Sequence, residues 1–342
     1  MARPLGWGMI GAGVIAPTHA KAVQANPGGA TIVGVCDTDQ EKATAFAEAY
    51  GATFTTSSLD ALLARDDIDI VSVCTPSGMH ADCVIAAARA GKHILCEKPL
   101  DITREKMDAA IAAVREAGVK LGCVFQSRTN PLNRKVREMV QAGEFGQLLL
   151  ADLSGKDYRA PDYYRTADWR GTIALDRGCL MNQGVHSMDL FLWLVGQPVV
   201  EVAGFWDHLA RDIEAEDTIV GSLRFANGAL GSVVYATSLS QKGLGSRIGI
   251  HSTEGNIVLA GKEQTLIERR GEELRLDGDA DVAPHGQMAP ATGHAEHVRD
   301  LIEAIQMDRD PAITGESART AIDVILALYE ASDRRTVVKL GR

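Results

Sequence analysis

The sequence predicts an α/β protein with an N-terminal Rossmann domain built on a parallel sheet, followed by a C-terminal α+β domain with a large, mostly antiparallel open sheet. Short apolar segments alternate with helical patterns through the first 125 residues, and a glycine-rich turn follows the first segment. Between about residues 199 and 268, apolar segments follow one another through tight turns. We therefore predict one domain at residues 1–125 and a second at residues 126–342.

The first domain reads as strands joined by helices, which is the pattern of a parallel sheet with right-handed crossovers. Thr103 is a side chain suited to begin the last helix, and Gly118 one suited to end it. The predicted strands are residues 6–10, 31–36, 69–74, 93–96 and 119–125, and the predicted helices lie near residues 16–25, 39–50, 59–64, 80–90 and 103–118.

The glycine-rich turn is Gly11-Ala12-Gly13-Val14-Ile15-Ala16, between the first strand and the first helix. Its glycines permit a tight turn, and the helix N-terminus attracts a pyrophosphate. Asp37 ends the second strand, close to where an acidic residue binds the ribose hydroxyls of NAD. The alternative for Asp37 is a cap of the following helix. A carboxylate there repels a 2′-phosphate, so we expect NAD to be preferred over NADP.

A second informative turn is Cys96-Glu97-Lys98-Pro99-Leu100, which follows the apolar run His93-Ile94-Leu95. Pro99 cannot donate to a sheet ladder, so the strand ends before Glu97 and Lys98. Ligands bind at the carboxyl ends of strands in open α/β sheets. Lys98 is therefore a candidate site residue; the alternative is a solvated strand end.

The second domain begins with a helix near residues 131–142 and a strand at 147–154. The irregular stretch 155–170 follows and holds three of the six tyrosines, Tyr158 among them. Ala226-Asn227-Gly228 is typical of a hairpin turn. Further strands are predicted near residues 199–209, 218–225, 230–237, 247–252, 256–259 and 266–268, with a loop at 271–293, helices near 294–307 and 316–331, and a short apolar run at 337–340.

Between these regions, residues 180–195 predict one buried helix that ends at Gly196. Asn182, His186 and Asp189 are spaced to share one face of it. Buried polar groups need partners, so this stripe is either an internal hydrogen-bond network or the wall of a site.

Composition narrows the class of protein. The formal net charge of −10 disfavours a nucleic-acid partner or an anionic membrane surface. No apolar run approaches the length of a membrane-spanning helix, and no signal peptide is evident, so we expect a cytoplasmic protein with a small-molecule ligand. The six cysteines lack zinc-ligand spacing and are expected to be reduced and buried, and no metal is predicted.

Five motifs together resemble the glucose-fructose oxidoreductase/inositol dehydrogenase family, Gfo/Idh/MocA. They are Gly8-Met9-Ile10-Gly11-Ala12-Gly13, Val73-Cys74-Thr75-Pro76, Cys96-Glu97-Lys98-Pro99-Leu100, Trp169-Arg170-Gly171-Thr172 and Asn182-Gln183-Gly184-Val185-His186-Ser187-Met188-Asp189. The resemblance covers essentially the whole chain. It implies pyridine-nucleotide-dependent oxidation or reduction of sugars, inositols or related polyols, and oligomer contacts through the open sheet.

The resemblance also implies site residues. Lys98 matches the family's catalytic lysine and His186 its active-site histidine. Asn182 departs from the aspartate of many members, and Asp176-Arg177-Gly178-Cys179 departs from Asp-Gly-Gly-Gly, which puts the substrate's identity in doubt. Expected cofactor contacts are Gly11, Gly13, Val14, Ile15, Asp37, Thr75, Pro76, His80, Glu97, Lys98 and Arg170, and expected substrate contacts are Lys98, Tyr158, Arg170, Asn182 and His186.

The chemistry of alcohol oxidation suggests roles for the two catalytic candidates. The hydroxyl proton must leave as hydride passes to the cofactor. An imidazole suits that transfer at neutral pH, so His186 is the expected acid/base. Lys98 as a cation would stabilise the developing alkoxide and could relay a proton. Asn182 would hydrogen-bond a substrate hydroxyl.

Three other functions remain open at this point. A glycosidase that oxidises its sugar transiently would need the same Lys98 and His186, and net reduction of free NAD would tell it apart. A nucleotide-sensing regulator without chemistry would not need to retain both residues. A purely structural protein would leave the polar stripe unexplained.

We also expect self-association, as a dimer or tetramer, because a long antiparallel sheet with one uncovered face exposes an apolar patch. The strands suspected of forming that face contain Val220, Leu223, Phe225, Leu230, Val233 and Tyr235.

Overall fold

The computed structural model describes residues 3–260, 266–274 and 290–341. The chain forms two compact units, Met1–Gln126 with Ala289–Arg319, and Ser127–Met288 with Thr320–Arg342. The predicted loop at 271–293 lies, for residues 275–289, outside the described residues. Within the described ranges, no helix combines the length and the apolar character that crossing a bilayer requires.

The described elements are fifteen strands and eleven α-helices. The strands are β1 (Leu5–Ile10), β2 (Ala30–Cys36), β3 (Phe54–Thr56), β4 (Ile70–Val73), β5 (His93–Cys96), β6 (Leu121–Cys123), β7 (Leu148–Lys156), β8 (Val199–Asp207), β9 (Thr218–Phe225), β10 (Leu230–Ala236), β11 (Gly245–Ser252), β12 (Gly255–Leu259), β13 (Leu266–Arg269), β14 (Glu272–Glu273) and β15 (Val338–Lys339). The helices are α1 (Ala16–Gln24), α2 (Gln40–Tyr50), α3 (Leu59–Leu63), α4 (His80–Arg89), α5 (Arg104–Ala117), α6 (Pro131–Gln141), α7 (Pro161–Arg165), α8 (Cys179–Asn182), α9 (Val185–Val195), α10 (Pro290–Gln306) and α11 (Gly315–Arg334).

The first unit contains a parallel sheet of six described strands in the order β3-β2-β1-β4-β5-β6. This confirms the predicted parallel sheet. The order reverses between β1 and β4, which is the switch point where such sheets bind ligands. Thr103 caps α5 by accepting a hydrogen bond from the Lys106 N–H, as predicted. The short strand β3 was not predicted.

The core of the first unit joins β1 to two helices that are far apart in sequence. Trp7 and Met9 of β1 pack with apolar side chains of α1 and with Val298 and Leu301 of α10. A helix near the C-terminal end of the chain is therefore part of the first unit. All six cysteines of the chain are buried and none forms a disulfide.

The second unit contains a mixed sheet of nine described strands in the order β14-β13-β12-β11-β7-β10-β9-β8-β15. Its described pairs are antiparallel except β7 with β10. This confirms the mostly antiparallel sheet. The predicted hairpin turn joins β9 to β10, with Gly228 at a φ of 90° that suits glycine.

The strands suspected of forming an uncovered face, β9 and β10, contain six of the apolar residues named above, and alternation along the strands divides these residues between two faces. Val220 and Leu230 are 47% and 49% exposed. The other four point to the opposite face and are buried, because successive side chains of a strand alternate. The strands therefore expose Val220 and Leu230 on one face, and the four buried residues are Leu223, Phe225, Val233 and Tyr235.

The predicted single helix at residues 180–195 is wrong in one respect, because it is interrupted. Helix α8 ends at Asn182 and α9 begins at Val185. The N–H groups of Gln183 and Gly184 both donate to the Cys179 carbonyl, and the regular pattern resumes where Met188 donates to Gly184. A Cβ on Gly184 would lie 2.8 Å from a Leu180 methyl carbon, so this close approach suits glycine.

Candidate active site

The glycine-rich turn is held by Asp37. The Ala12 N–H donates to one Asp37 carboxylate oxygen over 2.7 Å, and the Asp39 N–H donates to the other over 2.9 Å. The cap of α2 is Asp39, which accepts from the N–H groups of Glu41 and Lys42. Asp37 is therefore not the N-cap of α2, and the alternative interpretation of Asp37 is wrong.

Steric contacts explain one glycine of this turn. Gly11 has a φ of 95°, and a Cβ there would lie 2.7 Å from the Cys74 carbonyl oxygen. Any larger residue would push the turn away from the end of β4. Gly13 and Val14 are exposed, with Val14 89% accessible. The outward-facing side of the glycine-rich turn is therefore accessible to solvent.

Three turns lie at the carboxyl ends of the neighbouring strands β1, β4 and β5. They hold Gly11, Thr75 and Lys98 respectively. His80 connects the second turn to the third: its Nε2 lies 2.8 Å from the Thr75 carbonyl oxygen, and its Nδ1 lies 2.6 Å from that of Pro99. His80 is buried, so the structure gives it a bridging position behind these turns.

Glu97 is the centre of a buried hydrogen-bond network in the first unit. Its Oε1 lies 2.8 Å from His19 Nε2 and 3.0 Å from His294 Nε2. Its Oε2 accepts from the Lys98 backbone N–H over 3.1 Å. The carboxylate thus fixes the backbone of the candidate catalytic lysine.

The network continues behind His19. The Trp7 indole N–H donates to the Ser72 hydroxyl oxygen, which is 2.9 Å from His19 Nδ1. Because a hydroxyl has one proton, Ser72 can accept from Trp7 and donate to His19 Nδ1, leaving the proton of His19 on Nε2 for Glu97. The hydrogen bonds from Trp7 to Ser72, from Ser72 to His19 and from His19 to Glu97 therefore all run in the direction of the carboxylate.

This arrangement determines which groups carry charge. Burial alone would raise the pKa of Glu97, but the hydrogen bonds from His19 and His294 outweigh it and hold that pKa well below its ordinary value. Burial lowers the pKa of His19, and the Glu97 contact offsets only part of the effect. A carboxylate beside a neutral His19 is the result.

The same three side chains form a described group whose ligand-type atoms lie within 4.8 Å of one another. Both nitrogen-to-oxygen distances are those of hydrogen bonds to one carboxylate oxygen. The three side chains as described are joined by hydrogen bonds through the Glu97 carboxylate.

In the second unit, Asn182 is tied to the stretch that precedes it. Its Nδ2 donates to Asp176 Oδ1, and the Gly171 N–H donates to Asp176 Oδ2 over 2.6 Å. Next to it, Gln183 Nε2 donates to the Tyr163 hydroxyl oxygen over 2.9 Å, and Arg170 donates to that same oxygen. Two sets of polar contacts, one through Tyr163 and one through Asp176, therefore connect residues 163–176 to the segment carrying Asn182 and His186.

Next to these polar contacts, the second unit contains a cavity of about 300 Å³. The guanidinium of Arg170 stacks over the Tyr163 ring at 4.1 Å and over the Trp169 ring at 4.7 Å, close to the cavity wall. Tyr158 is also close to the cavity, because the guanidinium of the lining residue Arg211 lies over the Tyr158 ring. The lining residues are Pro161, Tyr164, Arg165, Arg170, Gly171, Thr172, Arg211, Asp212, Ile213 and Glu214.

The three residues of the predicted polar stripe have different surroundings. Asp189 forms a buried ion pair with Arg128, whose Nε lies 2.8 Å from the carboxylate. Asn182 pairs with Asp176, and His186 lies partly exposed in the first turn of α9. Asp189 is thus structural, whereas Asn182 and His186 stay candidates.

Sequence reasoning missed the partners of these candidates. His19 and His294 were not singled out, nor was Asp176 as a partner of Asn182. His19 lies on the buried face of α1, and a histidine among apolar helix positions is a signal that could have found it. No local signal connects His294 to a glutamate 197 residues earlier.

A parallel sheet with a glycine-rich turn, an acidic residue after β2 and a lysine after β5 defines a dinucleotide-dependent enzyme class. Comparison with known families agrees. Residues 5–125 match the model of the oxidoreductase family Gfo/Idh/MocA with an NAD-binding Rossmann fold, and residues 133–258 match that of the Gfo/Idh/MocA C-terminal domain. The chain therefore belongs to the Gfo/Idh/MocA family of oxidoreductases, and the expected resemblance is confirmed.

Individual relatives support this membership. The chain is 30% identical to the uncharacterized oxidoreductase YrbE of Bacillus subtilis, over 78% of this chain and 77% of that protein. It is 29% identical to the inositol 2-dehydrogenase of Rhizobium meliloti, over 97% of each. The crystal structure of the WlbA dehydrogenase from Bordetella pertussis, in complex with NADH and UDP-GlcNAcA, matches with a TM-score of 0.90 and 30% identity over 100% of this chain and 99% of that chain.

Proposed function

We propose that this oxidoreductase transfers hydride between NAD and a secondary hydroxyl or ketone of a sugar, an inositol or a sugar derivative. The observation that carries the proposal is the position of Lys98: it follows β5, beside the turns after β1 and β4, and its backbone is held by the buried Glu97 carboxylate. The relatives named for inositol and nucleotide-sugar ligands support this substrate class.

Each part of the proposed reaction is assigned to residues of this chain. NAD, when bound, supplies the hydride acceptor. Gly11, Gly13 and the N-terminal end of α1 bind the pyrophosphate, and Asp37 binds the ribose. Lys98 stabilises charge on the reacting oxygen, and His186 exchanges the hydroxyl proton. Thr75, Pro76, Val14, Ile15 and Arg170 complete the proposed contacts to the cofactor.

The roles of Lys98 and His186 are tested by truncation. Lys98→Met and His186→Ala should each lower turnover by about 10²- to 10⁴-fold, the range for losing a preorganised charge or an acid/base group. NAD affinity and melting temperature should change little. Lys106→Met and His251→Ala are matched controls, because Lys106 pairs with Asp82 and His251 with Asn256.

The readout is NADH appearance with a panel of sugars, inositols and sugar acids. A well-folded, NAD-binding His186→Ala protein with near-normal turnover would remove His186 from the mechanism. Substrate cleavage without net NADH formation would instead indicate a glycosidase with transient oxidation.

Cofactor preference depends on Asp37. Because both carboxylate oxygens already accept backbone hydrogen bonds, the negative charge is held in place at the turn and repels a 2′-phosphate. The kcat/KM should favour NAD over NADP, and Asp37→Ala should narrow the difference. Equal efficiency of the wild type with both nucleotides would contradict this proposal.

We also propose self-association through the second sheet. Leu150, Val220 and Leu230 are exposed on adjacent strands, and Leu150 and Leu230 are direct neighbours. Light scattering at micromolar concentration should give a dimer or tetramer, and Val220→Lys with Leu230→Lys should shift it toward the monomer. A strictly monomeric wild type would contradict the proposal.

A further inference from the structure

The carboxylate that holds the Lys98 backbone is itself held from two helices that are far apart in sequence. His19 of α1 and His294 of α10 both contact Glu97 Oε1, at 2.8 and 3.0 Å. The other oxygen, Oε2, accepts from the Lys98 N–H. An ionised carboxylate only accepts hydrogen bonds, so both imidazoles donate from Nε2. All three side chains are buried, so solvent is a poor substitute for either donor.

The tautomer of His19 is fixed on the side of the ring that faces away from Glu97. The Ser72 hydroxyl lies 2.9 Å from His19 Nδ1, and its oxygen accepts from the Trp7 indole N–H over 2.8 Å. The single proton of that hydroxyl is therefore directed at Nδ1, which keeps the imidazole proton on Nε2. His19 can consequently donate only to the carboxylate.

We propose that His19 and His294 are positioning residues for Lys98. They act through the Glu97 carboxylate, and the inference rests on the proposed function, in which Lys98 stabilises charge on the reacting oxygen. Two donors on one oxygen hold the carboxylate so that its other oxygen faces the Lys98 N–H. With one donor removed, the carboxylate can turn, that N–H loses its acceptor, and the lysine side chain moves. A displacement of about 1 Å at a reacting group costs about 10²-fold in rate.

Two substitutions at position 19 distinguish the donor from the ring. His19→Phe keeps a ring of similar size but offers Glu97 no donor. His19→Gln keeps an N–H donor, because the glutamine amide nitrogen lies about as far along the side chain as the imidazole Nε2. If His19 positions Lys98, the glutamine variant should resemble the wild type more closely. If the ring only fills space, the phenylalanine variant should, because it preserves the packing better.

The Lys98 amide can be followed directly, without a substrate, by NMR of protein containing ¹⁵N-labelled lysine. Its cross-peak is the one that Lys98→Met removes. Loss of the hydrogen bond to Glu97 should shift the amide proton upfield and speed its exchange with solvent in His19→Phe and in His294→Phe. His19→Gln should leave the peak close to its wild-type position. A Lys98 peak that is unchanged in both phenylalanine variants would overturn the inference. Failure of one of these variants to fold leaves the other to decide.

Turnover should change together with the Lys98 amide. His19→Phe should lower kcat by about 10- to 100-fold, with little change in the KM for NAD, and His19→Gln should recover most of the loss. In a Lys98→Met background, His19→Phe should lower kcat little further, because a residue that acts through Lys98 then has no ammonium group to position. Equal losses in the two backgrounds would show that the substitution acts by another route and would overturn the inference.

Asn26→Ala is the matched control for a loss of structure between the same two helices. The Asn26 amide donates to the carbonyl oxygens of Ala22 in α1 and Ala295 in α10, over 2.8 and 3.2 Å. Asn26→Ala should lower the melting temperature without moving the Lys98 peak or lowering kcat. If Lys98→Met keeps wild-type turnover, the proposed function fails, and the Lys98 peak still decides whether the histidines position that residue. If Lys98→Met is impaired while the peak stays in place in both phenylalanine variants, only the present inference fails.

Discussion

Two buried glutamates, one in each unit, have pKa values shifted in opposite directions. Glu97 in the first unit accepts from two imidazoles and a backbone N–H, and its pKa lies well below the ordinary value. Glu216 in the second unit accepts from the Leu180 N–H and contacts the Tyr329 hydroxyl, and burial raises its pKa to about 8 in spite of those contacts.

The difference teaches that burial alone does not decide the charge of a carboxyl group. Desolvation is the largest influence on both residues and has the same sign. Charge is retained only where enough donors converge, as they do on Glu97. An intermediate case is Asp189, whose pKa is raised to about 6 although Arg128 pairs with it.

The largest expected effect comes from Glu97→Gln. The glutamine oxygen can replace only the carboxylate oxygen that both imidazoles contact, so the NH₂ group faces the Lys98 N–H, a donor against a donor. This loss of one acceptor and of the charge should lower the free energy of unfolding by about 2–4 kcal/mol at neutral pH. Urea denaturation followed by circular dichroism measures it. The loss should shrink below about pH 4.3, because a group with a depressed folded pKa gives up its stabilisation as pH falls from the unfolded value toward the folded one.

A chelator serves as a control for this experiment. Incubation with EDTA should leave the melting temperature of the wild type unchanged if His19, Glu97 and His294 form a hydrogen-bonded network. A large decrease on chelation, reversed by adding zinc, would show instead that the group holds a metal ion.

Glu216→Gln should have the smaller effect and the opposite pH dependence. Between about pH 4.5 and 8 the unfolded chain loses the Glu216 proton while the folded protein keeps it, so wild-type stability falls as pH rises. Glutamine does not titrate, so the variant should gain stability relative to the wild type as the pH rises across that window. A constant difference between pH 5 and pH 8 would contradict the raised pKa.

The smallest effect is expected at Arg177, next to the Glu216 contacts. Arg177 has a φ of 66°, a conformation that glycine adopts more readily, and its carbonyl accepts from Tyr329. Arg177→Gly should therefore change the free energy of unfolding by less than about 1 kcal/mol and in the stabilising direction. Arg270→Gly, at a φ of 54° on an exposed turn, is a matched control.

Periodicity and turn chemistry predicted much of this molecule. The parallel strands, the cap at Thr103 and the hairpin at Asn227-Gly228 depend on local sequence, so the sequence was sufficient. The break at Gln183-Gly184 depends on how closely Gly184 approaches Leu180, which periodicity does not contain.

The candidate site was less predictable than the fold. Lys98 and Asn182 stood out because of their own motifs, but the groups that orient them did not. His294 reaches Glu97 across 197 residues, and Asp176 and Asn182 are joined by side chains rather than by backbone pattern. Such partners are set by tertiary packing, so a single sequence cannot reveal them.

Helix α10 has a consequence for the order of events during synthesis. It packs on α1 and carries His294, yet it follows nearly the whole second unit in the chain. A nascent chain that has emerged only to residue 126 lacks both the apolar side chains of α10 and one donor to Glu97. We therefore expect the first unit to complete its core only after this late segment has been made, because contacts distant in sequence form slowly.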